Sequence, residues 1–114
     1  MPYMKTLFSG AITPAQEETL KKDLGEAITL LPGKTEDWLM LSFEDNCRLW
    51  FKGDQSAPTA LVEVAVFGHG ASKDYEALTA RITEVMEKTL SVSPSRTYVK
   101  YEETTLWGWN GTNF

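Results

Sequence analysis

The chain carries one cysteine and one histidine in 114 residues. A solitary Cys47 excludes an intrachain disulfide and any Cys-x-x-Cys redox pair, and reads as a strand residue rather than a nucleophile. His69 sits in a Gly68-His69-Gly70 turn, where an exposed ring with no catalytic role is expected. Clustered positive charge is missing too. The 11 Lys and Arg face 16 Asp and Glu for a net charge of −5, and the Lys21-Lys22 pair is the densest basic spot. A concentrated basic face is what phosphate backbones require, so nucleic acid is excluded as a partner. No run approaches the roughly 18 apolar residues of a membrane span, and no charged start precedes an apolar leader. A cytoplasmic location is the simplest expectation, with leaderless secretion as the alternative. Low-complexity tracts and charge blocks are absent, which excludes a disordered tail.

What is present is ordinary globular material, with 42% hydrophobic and 24% charged residues. A chain of this size buries roughly two thirds of its unfolded surface, so one domain over residues 1–114 is expected. Residues 3–9 read as a strand. Thr13-Pro14-Ala15-Gln16 combines a capping threonine, proline at the first helical position and glutamine at the capping-box position. Leu20, Leu24, Ala27, Ile28 and Leu31 then recur at helical spacing until Pro32-Gly33 interrupts them. Strands are predicted at 37–43, 49–52 and 60–67, the last two joined by Gly53-Asp54-Gln55-Ser56. Ser72 is the expected cap of a second helix, whose apolar stripe is Tyr75, Leu78, Ile82, Val85, Met86 and Leu90. Strands at 96–102 and 106–109 complete the pattern.

A shift of 58 positions lays Phe8-Ser9-Gly10 on Val66-Phe67-Gly68, Leu20 on Leu78, Leu24 on Ile82, and Phe43 on Tyr101. The chain therefore reads as two copies of one β-α-β unit. Right-handed crossovers place both helices on one face of a four-stranded mixed sheet, an α+β two-layer fold with short additional strands at the edges. The other sheet face is left bare although its strands carry many apolar residues, so a closed homo-oligomer is expected to cover it.

Pro2 follows Met1 directly. Removal of Met1 would turn it into a free secondary amine, a base no internal residue can supply. An α-amino group titrates near neutrality, and burial or a neighbouring cation lowers it further. Such a nitrogen suits general-base work at pH 7.

Met1-Pro2, Gly33-Lys34, Phe51 and Gly53, Gly68, Ser93-Pro94, Arg96, Tyr98, Tyr101 and the Gly108-Trp109-Asn110 ending through Phe114 together resemble the macrophage migration inhibitory factor family of the tautomerase superfamily, which includes D-dopachrome tautomerase. The resemblance runs over essentially the whole chain. It implies a homotrimer with a pocket at each subunit interface, keto-enol tautomerisation of phenylpyruvate-type α-keto acids, and no metal or cofactor. By the same likeness Pro2 is the catalytic base and Lys34 faces the substrate carboxylate. Phe67 stands at the pocket where the family usually has isoleucine, and Tyr98 corresponds to a tyrosine contributed by the adjacent subunit. Lys100 replaces an asparagine and implies a second cation beside Lys34. Trp107, Trp109 and Phe114 match the apolar rim. Thr59 and Val62 occupy the places of the family's Cys-x-x-Cys, so thiol chemistry is not implied. Two other activities remain compatible with the likeness: an interaction or cytokine-type protein with a vestigial pocket, and a proline-based dehalogenase or decarboxylase of small acids.

Overall fold

The structure, a computed structural model, describes all residues 1–114. Strand β1 (Pro2–Phe8) leads through a turn into helix α1 (Pro14–Ala27). The helix begins where the local chemistry dictates: Gln16 N–H donates to Thr13 Oγ1 at 3.1 Å while Thr13 N–H donates to Gln16 Oε1 at 2.9 Å. Two of the orphan donors of the first turn are satisfied this way. A single 3₁₀ turn at Ile28–Leu30 tightens its end. Strand β2 (Met40–Glu44) follows, then β3 (Ala60–Phe67), helix α2 (Ser72–Leu90), β4 (Thr97–Thr104), and a terminal hairpin of β5 (Gly108–Trp109) and β6 (Thr112–Asn113).

The main sheet has the order β2-β1-β3-β4. β1 runs parallel to β2 and β3 parallel to β4, while β1 and β3 are antiparallel. This is the duplicated β-α-β arrangement expected from the 58-residue shift. Period-2 alternation sends Met4, Thr6, Phe8, Val62, Val64 and Val66 towards the helices, where they are buried. They meet Leu20, Leu24 and Ile28 of α1 and Leu78, Ile82 and Met86 of α2, all fully buried. The opposite face presents Tyr3, Lys5 and Leu7 beside Met40, Ser42 and Glu44, and Leu61 and Glu63 beside Tyr98 and Lys100. No element of the chain covers it.

Four local expectations require correction. The strand predicted from residue 37 begins at Met40, because Glu36–Trp38 forms a 3₁₀ turn closed by Leu39 N–H to the Glu36 carbonyl at 3.1 Å. No strand spans 49–52. Instead Phe51 and Asp54 exchange hydrogen bonds of 2.9 and 3.0 Å around Lys52 and Gly53, both at positive φ (53° and 71°). Two consecutive left-handed residues make a tight turn rather than a strand. Arg96 holds this turn, donating to the Asp54 carbonyl at 2.9 Å and to Thr59 Oγ1 at 2.7 Å. Ser72 is the first helical residue of α2 and not its cap; Ala71 takes the cap position without a side-chain bond. The short strand predicted at 106–109 is one arm of a hairpin that turns at Asn110 and Gly111, again both at positive φ.

Candidate active site

Pro2 is buried and stands opposite Val66 in the β1–β3 register. Phe67 N–H donates to the Met1 carbonyl at 3.0 Å, so the first peptide unit is held by the same ladder. A cleft of about 1060 Å³ opens here, walled by Met1, Pro2 and Tyr3 on one side, the 37–42 segment on another, and Trp107 to Trp109 on a third. Pro32-Gly33 turns the chain sharply after α1, with Gly33 at φ 78°, and Lys34 N–H closes the turn on the Leu31 carbonyl at 3.0 Å. Lys34 does not line the cleft, yet its charge reaches the chain terminus. Burial and then the Lys34 charge lower the Met1 α-amino group from its ordinary value of 8.0.

Aromatic rings link the cleft to the end of the chain. Phe67 lies 5.5 Å from Phe114, which stacks at 6.4 Å on Trp109, and Trp109 meets Trp38 edge-on at 5.0 Å. Phe114 N–H donates to the Trp107 carbonyl at 3.1 Å, which fastens the last residue to the hairpin stem. Of the eight residues singled out from the sequence, Pro2, Lys34, Phe67, Trp107, Trp109 and Phe114 gather around the N-terminus within one chain.

Tyr98 and Lys100 do not join them. Both lie on β4, which β3 separates from β1. Tyr98 is 63% exposed and meets Phe51 edge-on at 5.3 Å. Lys100 pairs with Glu102 at 3.3 Å, so within the chain it is not the second cation beside Lys34. Sequence reasoning missed Trp38, Asp37 and Met40, which line the cleft from the 3₁₀ turn and the start of β2. A signal was there: three of the chain's four tryptophans, Trp38, Trp107 and Trp109, border this one cavity. No group of three or more His, Cys, Asp or Glu side chains is placed to hold a metal ion.

The model of the family described as macrophage migration inhibitory factor matches residues 1–114. Among solved structures, that of Leishmania major MIF2 is 33% identical and superposes with a TM-score of 0.92, covering 100% of this chain and 97% of that one. A macrophage migration inhibitory factor homologue from Prochlorococcus marinus shares the fold at 24% identity and a TM-score of 0.88, with 98% of each chain covered. A protein crystallised after inactivation by 2-oxo-3-pentynoate shares it at 12% identity and a TM-score of 0.86, covering 97% of this chain and 94% of that one. A search of curated proteins returns no match.

Proposed function

Because the chain belongs to the macrophage migration inhibitory factor family, we propose that it is a keto-enol tautomerase of phenylpyruvate-type α-keto acids, with the Pro2 nitrogen as general base once Met1 is removed. One observation carries the reading. The chain terminus opens into a large, mainly apolar cleft, and the α-amine there is pushed towards its neutral form by burial and by Lys34. A field that favours the neutral amine suits a terminal nitrogen acting as a base. The likeness in fold to a protein that a 2-oxo acid inactivates fits a site that accepts such acids.

In this mechanism the Lys34 ammonium, outside the cleft lining but close enough for its charge to act at the chain terminus, attracts the substrate carboxylate. The Pro2 nitrogen removes a proton from the carbon next to the carbonyl and delivers it to the carbonyl oxygen, which gives the enol and restores the free nitrogen, and the reverse path regenerates the ketone. No bond between protein and substrate forms. Tyr98 and Lys100 of a neighbouring copy would complete the pocket, since neither reaches Pro2 within its own chain.

The test is ketonisation of phenylpyruvate enol. Pro2→Gly in the processed protein is expected to lower kcat/KM by about 10²-fold or more. The wild-type rate should fall as acid protonates the amine. Wild-type-like turnover by Pro2→Gly overturns the assignment of the base.

A further inference from the structure

The cleft beside Pro2 has a second feature that base chemistry does not use. Trp38 and Trp109 cross at 83° with centroids 5.0 Å apart, so their planes form two walls of a corner. Trp38 is 46% exposed and Trp109 50% exposed, so both rings are open to the cleft. Trp107 and Met40 line the same cavity, and so does Asp37. Asp37 belongs to the turn that positions Trp38, is exposed, and forms no ion pair within the chain. An aromatic corner next to an uncompensated carboxylate is the chemistry that attracts an organic cation. The negative ring faces and the fixed charge act together, and a weakly hydrated quaternary ammonium or guanidinium group loses little on leaving water.

We propose that this corner, formed by Trp38, Trp109 and Asp37, binds an ammonium or guanidinium group. The keto acid handled at Pro2 then carries a cationic tail, its carboxylate held towards Lys34 and its far end at Asp37. The substrate part of this statement rests on the tautomerase reading; the cation site does not.

The probe is choline, compared by calorimetric titration of the full chain with its uncharged isostere 3,3-dimethyl-1-butanol. Choline is expected to bind about tenfold more tightly, a preference that falls to about twofold or threefold in Asp37→Asn and is lost in Trp38→Leu. Asp37→Asn changes one exposed carboxylate to its amide, so the test survives if Trp38→Leu does not fold. Equal affinity for the two ligands overturns the proposal, as does a preference for choline that Asp37→Asn leaves intact. A second arm compares 5-guanidino-2-oxopentanoate with 2-oxohexanoate as substrates. Asp37→Asn should lower the ratio of kcat/KM for the first to that for the second by about tenfold, and an unchanged ratio overturns the substrate part of the proposal. Choline binding without turnover of any keto acid would defeat the tautomerase reading and leave the cation site standing.

Discussion

Glu103 shows how much one side chain can organise. Its carboxylate accepts from Tyr75 Oη at 2.6 Å, from Gly70 N–H at 2.7 Å and from His69 Nδ1 at 3.0 Å. These bonds, that from Tyr75 foremost, bring its pKa from 4.5 down to about 2. A carboxyl whose folded value is depressed adds stability that is present above its unfolded value and is lost as pH falls through the folded one. Glu103→Gln should therefore be less stable than wild type near neutrality, and the gap should narrow as pH falls from about 4.5 towards 2. Paired urea melts at several pH values measure it, and a gap independent of pH would contradict the assignment. Sequence gave no hint of this cluster, because its members come from the turn after β3, from α2 and from β4. His69 is exposed as expected, yet it is tied to a carboxylate 34 positions away.

Among the elements, those governed by neighbours in sequence were legible and those governed by distant partners were not. The α1 start is a contest decided within four residues, so Thr13 and Gln16 announce it. Thr13→Ala is expected to cost about 1 kcal/mol in denaturant unfolding, with an unchanged m-value. The β2 start was misplaced because Trp38 leaves the strand pattern to meet Trp109, a partner no local rule points to. Likewise Leu49 to Lys52 reads as strand, but Lys52 and Gly53 adopt left-handed backbone and Arg96 grips the result. The terminal hairpin was legible in principle, since Asn110-Gly111 is a favoured pair for a two-residue turn. Its second arm, Thr112–Asn113, is too short for periodicity to reveal.

For the whole molecule, the uncovered sheet face is the outstanding property. Tyr3, Leu7, Leu61 and Phe67 lie partly open there, Met40 is 67% exposed and Tyr98 63% exposed. The β5–β6 hairpin forms its own two-stranded sheet apart from the main one, a unit that is marginal unless something packs on it. Both features fit the proposed homotrimer, in which neighbouring copies cover the face and bring Tyr98 and Lys100 to Pro2. Light scattering at micromolar concentration should give a particle three times the 12.8 kDa chain. A stable monomer would leave the pocket incomplete and remove the basis for those two residues.

Sequence by itself settled the duplicated β-α-β plan, the helix stripes and the inward faces of the strands. Each follows from a fixed backbone period acting on apolar side chains, and a period is readable one residue after another. Only the tertiary structure decided that Trp38 and Asp37 stand with Trp107 and Trp109 around the N-terminus, and that Tyr98 and Lys100 stand apart from it. Those placements depend on strand order and on where loops close, and contacts between distant segments leave no periodic trace in the chain.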